Sequence, residues 1–373
     1  RGLSATSLGL AVALLAAGAY AEEAEVRLRV VVVLDASQSM DDQDPGHLAE
    51  VAARLLVDLA TPADEVSVVR FGTEARRLGR EVVRDDAARE RLYSAIDEVT
   101  RTEWCTDDRV GLEAALEAMP GEAAAGERRL VIFLTDGLFD PDRSNEAYYD
   151  TEEGRAALER ARGTPAFAER PCARRYGSLA PHVEGAFLQQ MGRLADRLGR
   201  SGVRLYTVGL GPALTSSGAG AERSRSLLER LSSGTGGTFL SATSSDQLPV
   251  FFASIYSALV GAPVEPPREV PAETDRIEFE VLRGASRVAV IVDAESDQGL
   301  RVEARPATGG AAPAHDLRRY LAPGEGWQGY RVLSFDAPEP GGFVLTRLAG
   351  GARLRIQVIQ EVGLRLALEG VPE

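Results

Sequence analysis

Oxygen-bearing side chains follow two apolar runs of the sequence, at the point where each run ends. The first run, "VVVVL", leads into Asp35, and Ser37 and Ser39 follow at alternate positions. The second, "VIFLT", leads into Asp136, and Thr106 lies in the chain between the two runs. Carboxylate and hydroxyl oxygens are the ligands that small hard cations prefer. The sequence therefore predicts a divalent cation site, with Mg²⁺ as the expected ion and Mn²⁺ or Ca²⁺ as alternatives.

The elements that must position these residues alternate between strand and helix from Val26 onward. Near-continuous apolar runs such as "RVVVVL" are typical of strands covered on both faces, and "GHLAEVAARLLVDLA" has apolar residues at helical spacing. The alternation predicts an α/β fold with a doubly wound, mostly parallel, Rossmann-like sheet. Ligands bind outside the carboxyl ends of the strands in such a sheet, so we expect Asp35 and Asp136 at one rim.

Three further acids follow the first motif, at Asp41, Asp42 and Asp44. We interpret them as a solvent-exposed loop in which Asp44-Pro45 opens the next helix, because proline is favoured in the first helical turn. A second cation site formed by these acids is the alternative.

The chain divides at a proline-rich segment. "GAPVEPPREVPAE" is typical of a stiff, extended boundary. We therefore predict a linker at 263–275 between an α/β domain at 25–262 and a second domain at 276–373. Short alternating runs separated by Gly, Pro and Asp predict that the second domain is an all-β, immunoglobulin-like sandwich.

An insertion at 138–183 is long for a connection between a strand and a helix. Long ordered insertions at a ligand-binding rim tend to be functional, and the alternative is a disordered excursion. "TEEGRAALERA" favours a short helix. We expect an ordered lobe packed around four aromatic residues, Tyr148, Tyr149, Phe167 and Tyr176.

Composition and the first residues bear on the compartment and the partners. The 373 residues carry a formal net charge of −14, which disfavours nucleic acid and anionic membrane surfaces as partners. Residues 1–21 contain a basic residue, an apolar stretch and the small residues Ala19 and Ala21, as in a secretory signal peptide. We expect cleavage after Ala21 and export to the periplasm, the cell surface or the medium of a bacterium. An uncleaved N-terminal anchor is the alternative.

Catalytic motifs are missing from the sequence. It has no His-Glu-x-x-His, no Gly-x-Ser-x-Gly and no P-loop, and its only histidines are His47, His182 and His315. A hydrolase that uses the cation as a Lewis acid needs a general base, and none is evident. We therefore predict that the protein is not an enzyme.

The motifs around the predicted cation resemble those of von Willebrand factor A domains. "DASQS" fits their Asp-x-Ser-x-Ser motif, "TDDRVGLEAAL" resembles their middle loop, and "TDG" fits their second acidic corner. The resemblance covers about 25–262 and implies a metal-ion-dependent adhesion site. Its metal shell would consist of Asp35, Ser37, Ser39, Thr106 and Asp136. In the family a carboxylate of the binding partner commonly completes this shell.

The middle loop departs from the family pattern. Many members place two glycines ahead of the threonine, whereas this chain has "RTEWCT", so Thr102 is an alternative to Thr106 as the ligand. The cysteine of this loop, Cys105, is one of only two in the chain, the other being Cys172 in the insertion. We hypothesise a disulfide between them that ties the inserted lobe to the metal rim and influences the choice of partner.

The second domain resembles the β-sandwiches that follow A domains in some bacterial exported proteins, through "YRVLSFDAPEPGGFVLTRLAGG". Together the resemblances imply an exported adhesion or protein-binding module whose cation engages an acidic group of a protein partner. The alternatives are a structural subunit of a bacterial envelope assembly, with the A domain as a rigid interface, and a metal-assisted hydrolase.

Overall fold

The structure is a computed structural model that describes residues 27–362 with gaps. The gaps are at 120, 138, 166, 168–171, 173–179, 218, 263–265, 295–300, 307–314, 322–328, 337, 339 and 350–352. The predicted signal segment 1–21 and the end of the predicted sandwich, 363–373, lie outside the described residues.

The first part of the chain is built around a six-stranded sheet. Its strands are β1 (Arg27–Asp35), β2 (Glu65–Phe71), β3 (Ala75–Val82), β4 (Glu127–Thr135), β5 (Val203–Leu210) and β6 (Phe239–Ala242). They lie in the order β3-β2-β1-β4-β5-β6, and every neighbouring pair is parallel except β2 with β3. The prediction of a doubly wound, mostly parallel sheet is confirmed.

Helices cover both faces of this sheet. They are α1 (Ser39–Gln43), α2 (Leu48–Leu59), α3 (Asp86–Asp97), α4 (Asp108–Glu117), α5 (Glu152–Arg162), α6 (Ala180–Arg200), α7 (Pro212–Thr215), α8 (Ala219–Ser233) and α9 (Leu248–Val260). Val30 and Val32 of β1 pack with α2, α3 and α9, whereas Val31 and Val33 pack with α4, α5 and α6. Because successive strand residues face opposite sides, burial on both faces requires the unbroken apolar run. None of the helices described here is both long and apolar enough to cross a membrane.

The edge strand β3 is not predicted by the sequence pattern. Its residues, "ARRLGREV", include three arginines and one glutamate, and none of them is fully buried. An edge strand is paired on one side only and tolerates charged side chains, so the apolar alternation that marks a buried strand is weak here.

The second part of the chain forms two antiparallel sheets. The strands are β7 (Arg268–Val270), β8 (Arg276–Val281), β9 (Ala285–Ala294), β10 (Arg301–Pro306), β11 (His315–Leu321), β12 (Gly329–Asp336), β13 (Gly341–Ala349) and β14 (Leu354–Val362). Five lie in the order β11-β12-β9-β14-β7, and three in the order β10-β13-β8. An apolar core between them includes Val290, Phe335 and Leu345. The prediction of C-terminal antiparallel β-structure is confirmed, but part of the predicted linker is the strand β7, which pairs with β14.

The five-stranded sheet packs against α2 and α9. Ala289, Ile291 and Val332 belong to the same apolar cluster as these helices. Polar side chains also cross the contact: Arg287 donates to the carbonyl of Leu59 at the end of α2, and Tyr330 donates to Asp58 at 2.9 Å. Apolar burial and satisfied polar groups therefore fix the two parts of the chain against each other.

Asp58 should make stability depend on pH. Burial raises the pKa of Asp58 to about 7, against hydrogen bonds from Tyr93 and Tyr330 that lower it. In the unfolded chain this carboxyl has its ordinary pKa of about 4. Between about pH 4 and pH 7 the folded state therefore holds a proton that the unfolded state has lost. The stability linked to this proton is fully present below about pH 4 and is lost as the pH rises through about 7.

We expect the unfolding free energy of the wild type to fall by a few kcal/mol relative to that of Asp58→Asn between about pH 4 and pH 7, because one pKa unit corresponds to about 1.4 kcal/mol. Urea unfolding at a series of pH values measures the difference. Asp86→Asn is the control, because it removes a carboxylate that is 89% exposed. A constant difference between wild type and Asp58→Asn over this range contradicts the prediction.

Candidate metal centre

Adjacent parallel strands bring the two acidic motifs together. The register pairs Leu34 of β1 with Leu134 of β4, so Asp35 and Thr135 come next to each other at the carboxyl edge. Thr135 Oγ1 donates to Asp35 Oδ2 at 2.8 Å, and the backbone N–H of Ser37 donates to Asp35 Oδ1 at 2.8 Å. Asp35 is thus held in one orientation by the end of β4 and by its own loop.

A run of side-chain hydrogen bonds continues from this loop to Asp136. Ser37 Oγ and Ser39 Oγ are 3.0 Å apart, and Ser39 Oγ donates to Asp136 Oδ1 at 3.0 Å. Asp136 is 2% exposed, whereas Ser39 lies at the surface. Four of the five predicted ligands therefore lie at one rim, which is open on the side of Ser39.

Thr106 reaches the same rim from the third loop. A Cβ placed on Gly137 would lie 3.6 Å from Thr106 Oγ1 and 3.6 Å from Thr135 Oγ1, so these hydroxyls flank the same glycine. Thr106 is 5% exposed, whereas the alternative residue Thr102 is exposed. The structure brings Thr106, rather than Thr102, next to the acidic corner.

Backbone hydrogen bonds hold the third loop against the first. Gln38 N–H donates to the carbonyl of Glu103 at 2.9 Å, and Glu103 N–H donates to the carbonyl of Ala36 at 3.1 Å. The loop also passes close to Gly72, where an added Cβ would lie 2.3 Å from the Cβ of Glu103. Only glycine at position 72 leaves room for this approach of the "RTEWCT" loop.

Burial raises the pKa of both rim carboxylates, and Asp35 raises that of Asp136 further. Burial raises the pKa of Asp35, against hydrogen bonds from Ser37 and Thr135. Burial, followed by repulsion from Asp35, raises the pKa of Asp136 to about 8. Oδ2 of Asp136 is buried and has no hydrogen-bond partner within the described part of the chain. Buried carboxylates in this state are stabilised by a nearby positive charge.

Asp108 is a buried acid, two positions after Thr106, that sequence reasoning did not single out. It begins α4, is 3% exposed, and its Oδ1 is buried without a hydrogen-bond partner among the described residues. Burial, and then repulsion by Asp35, Asp107 and Asp136, raise its pKa well above the ordinary range. The available signal was a second acid, two positions after Thr106, in "TDDRVG".

The neighbouring Asp107 is in a different situation. Its carboxylate accepts hydrogen bonds from the phenol of Tyr148 and from the backbone N–H of Arg109, the latter at 3.1 Å. Tyr148 lies in the inserted lobe and is fully buried. Asp107 therefore caps α4 and joins the helix to the lobe.

One interpretation of the acids after the first motif was wrong. Asp41 and Asp42 are exposed, but Asp44 is completely buried. Its carboxylate accepts from the backbone N–H groups of the first turn of α2 and from Arg101 at 2.8 Å, and Arg101 also donates to Glu50 at 2.8 Å. The burial of these carboxylates is stable because Arg101 supplies the countercharge. Arg101 comes from a loop distant in sequence, so local patterns do not reveal the pairing.

The described part of the inserted lobe is ordered. The predicted helix is α5, Tyr148 and Tyr149 are buried, and Phe167 packs against the same apolar cluster. Tyr176 lies outside the described residues. The hypothesised disulfide between Cys105 and Cys172 is present, with the two Cα atoms 5.4 Å apart. It joins the loop of Thr106 to the lobe.

Removing this disulfide is expected to lower the unfolding free energy by about 2–4 kcal/mol, because the bond closes a long loop and restricts the unfolded chain. The two cysteines are 67 residues apart in sequence. Urea unfolding of Cys105→Ser/Cys172→Ser, compared with the oxidised wild type, measures the loss. Thiol counting by mass spectrometry is the check, and two free thiols in the purified native protein contradict the bond.

The donor set at the rim fits a hard divalent cation. Within the described ranges, no three His, Cys, Asp or Glu side chains group closely enough to hold a metal ion. Any cation bound here would therefore need hydroxyl oxygens among its ligands. Mg²⁺ is coordinated by oxygen atoms of the protein and by water molecules. The unpartnered oxygen of Asp136 and the flanking hydroxyls of Ser39 and Thr106 meet that requirement.

Comparison with protein families identifies the domain that carries this rim. Residues 30–138 match the model of the von Willebrand factor type A domain. The matched segment runs from β1 to the residues that follow β4 and includes all five predicted ligands. Over residues 30–138 the chain therefore matches the von Willebrand factor type A domain family. No match was found among curated proteins.

Several solved structures match this chain at low sequence identity. A von Willebrand factor type A protein from Catenulispora acidiphila is 16% identical over 90% of this chain and 63% of its own, with a TM-score of 0.39. The vWF domain of the pilus tip protein Mfa5 from Porphyromonas gingivalis is 17% identical over 65% and 98%, with a TM-score of 0.41.

A third is proximal thread matrix protein 1 from the mussel byssus, with a zinc-occupied MIDAS motif. It is 16% identical over 66% of this chain and 50% of its own, with a TM-score of 0.40. This chain thus spans less than two thirds of the length of the Catenulispora and mussel structures. These identities, coverages and TM-scores assign no function to this chain.

Proposed function

We propose that this protein is an exported binding module that engages a protein partner through a divalent cation, Mg²⁺ being the expected ion. The residues that would hold the cation are Asp35, Ser37, Ser39, Thr106 and Asp136. The observation that carries the proposal is the hydrogen-bonded run from Asp35 to Asp136, which ends on a buried carboxylate oxygen without a partner.

When bound, the cation would supply a positive, electrophilic position for an acidic group of the partner. The chain's own residues have two roles. Asp35 and Asp136 provide negative charge, and the hydroxyl groups hold these carboxylates in orientation by the hydrogen bonds already present. Because the set contains oxygen donors only, it suits Mg²⁺, Mn²⁺ or Ca²⁺ better than metals that prefer nitrogen or sulfur.

An exposed aromatic side chain next to the rim favours a protein as the partner. Trp104 is 62% exposed, although it lies between Glu103, which is bonded to the first loop, and the disulfide-bonded Cys105. Tryptophan is enriched among the residues that dominate protein interfaces, and a fixed backbone limits the entropy lost on binding. Trp104 is therefore the side chain we expect to contact the partner beside the cation.

Affinity capture from extracts of the native organism tests the proposal. Wild type, Asp35→Ala and Trp104→Ala are immobilised and compared in Mg²⁺ and in EDTA, and Mg²⁺ binding of each is measured separately by calorimetry. We expect a partner that the wild type retains in Mg²⁺, releases in EDTA and binds again when Mg²⁺ is restored. Asp35→Ala should bind neither Mg²⁺ nor partner, whereas Trp104→Ala should bind Mg²⁺ normally and retain less partner.

Retention of the same proteins in EDTA would overturn the proposal. So would normal Mg²⁺ binding by Asp35→Ala. A large loss of stability on cation removal, without any cation-dependent partner, is the result expected instead for a structural subunit of an envelope assembly.

A further inference from the structure

Three consecutive residues of the third loop are bound to the inserted lobe. Cys105 forms the disulfide. The backbone N–H of Thr106 donates to the carbonyl of Asp140 at 3.0 Å, and the N–H of Asp140 donates to the carbonyl of Thr106 at 2.8 Å. Asp107 accepts a hydrogen bond from the phenol of Tyr148. The lobe therefore contacts the proposed ligand Thr106 directly and also binds the residue on each side of it.

The phenol of Tyr148 is fixed by contacts on several sides. Tyr148 is fully buried, and its ring packs edge-on against Phe139 with the ring centroids 5.4 Å apart. Its oxygen accepts from Nε of Arg109 in α4 at 2.9 Å. The side chain of Gln190 in α6 donates to the carbonyl of the preceding residue, Ala147, at 2.7 Å. These contacts hold the phenol between α4 and α6.

A hydroxyl ligand on a loop depends on the position of its backbone. Mg²⁺ requires near-ideal octahedral geometry with oxygen atoms at about 2.0–2.1 Å. Ordering a mobile loop when the cation binds would cost conformational entropy, so a loop that is already held in place gives tighter binding. The hydroxyl of Thr106 flanks Gly137 at the acidic corner, and the bonds to the lobe keep it there.

We propose that the inserted lobe positions Thr106 and thereby increases the affinity of the rim for its cation, with Tyr148 as a positioning residue that acts through Asp107. The inference rests on the proposed function, because it requires a cation at this rim. The lobe then supports the cation site in addition to any contact that it makes with a partner. Groups that orient metal ligands from behind typically change metal affinity by about 10–100-fold when they are replaced.

The test compares Tyr148→Phe with Tyr149→Phe in the full chain. Both tyrosines are buried, but the phenol of Tyr149 donates to the carbonyl of Arg143 at 2.7 Å, inside the lobe. Each variant keeps the aromatic ring and loses one hydrogen bond. For Tyr148→Phe we expect a dissociation constant for Mg²⁺ raised at least about 10-fold. For Tyr149→Phe we expect it to stay within about twofold of the wild type, because the lost bond does not involve the third loop. Calorimetry at a temperature at which all the proteins are folded measures both values.

A second readout needs no cation. In EDTA, hydrogen exchange of the third loop should be faster in Tyr148→Phe than in the wild type or in Tyr149→Phe, because exchange reports local opening. Mass spectrometry measures the exchange. Cys105→Ser/Cys172→Ser removes another of the three links, and its dissociation constant for Mg²⁺ should also rise at least about 10-fold.

The outcomes separate this inference from the proposed function. Wild-type Mg²⁺ affinity in Tyr148→Phe, with Mg²⁺ binding lost in Asp35→Ala, overturns the inference alone. If Tyr148→Phe does not fold, wild-type affinity in Cys105→Ser/Cys172→Ser overturns it instead. An equal loss of affinity in Tyr148→Phe and Tyr149→Phe indicates a general effect on the lobe and also overturns it. Absence of binding by the wild type to Mg²⁺, Mn²⁺ and Ca²⁺ overturns both the inference and the cation site.

Discussion

Replacement of Asp136 by asparagine is expected to reduce the affinity for Mg²⁺ by at least about 100-fold while the protein remains folded, a change of about 3 kcal/mol. Asparagine keeps an oxygen that can accept the hydrogen bond from Ser39, which now goes to Oδ1, but it removes the negative charge and the buried, unpartnered Oδ2. Calorimetry measures the affinity. The rise in melting temperature that Mg²⁺ causes in the wild type should disappear, because stabilisation by a ligand depends on its affinity for the folded state.

Asp42→Asn is the matched control for this result. Asp42 is an exposed acid on α1, close in sequence to Ser39, and its replacement changes the net charge equally. We expect it to leave Mg²⁺ affinity within about twofold of the wild type, because exposed charges are screened by solvent and salt. An equal loss in both variants would show a general effect of net charge and would contradict a specific role for Asp136.

Arg101→Met is expected to lower the unfolding free energy by about 3–5 kcal/mol, the usual effect of removing one partner from a buried ion pair. Arg101 donates to the buried carboxylates of Asp44 and Glu50 and to the backbone carbonyl of Met40. Without the guanidinium, two buried acids lose their countercharge. Met40 follows Ser39 directly, so the affinity for Mg²⁺ should also fall. Chemical unfolding and calorimetry measure the two effects.

A triple variant distinguishes unpaired charge from lost packing. Arg101→Met/Asp44→Asn/Glu50→Gln should recover much of the stability, because it removes the buried ionised groups that Arg101 pairs and the amide oxygen of asparagine can still accept one of the two hydrogen bonds from the first turn of α2. If the triple variant is as unstable as Arg101→Met, the packing of the arginine side chain is the main contribution instead. Wild-type stability in Arg101→Met contradicts the role of the cluster.

Local sequence patterns were sufficient for much of the fold and for the acidic corners. The strands β1 and β4 are predicted because burial on both faces demands continuous apolar residues. Asp35 and Asp136 follow these strands directly, and parallel strands end at one edge of a sheet, so their proximity follows from the fold class alone. Ser37 and Ser39 are then close because they lie within a few residues of Asp35.

Local sequence patterns could not predict the contacts between segments that are far apart in the chain. The edge strand β3 carries charges instead of an apolar alternation, and Arg268–Val270 became a strand only because β14 offers a free edge to pair with. Asp44 looked like a surface acid, because its partner Arg101 is supplied by another loop. The type of a single residue does not show whether another segment of the fold will supply its countercharge.

The residues of the proposed cation site also divide into those that local patterns predict and those that they do not. Sequence alone determined which acids and hydroxyls stand at the ends of the buried strands, because strand ends are local features of the apolar pattern. Only the tertiary structure decided that Thr106 rather than Thr102 reaches the rim, that Cys105 is bonded to Cys172, and that Asp108 is buried. These depend on how a loop passes Gly72 and where α4 begins, which are set by packing between segments far apart in the chain.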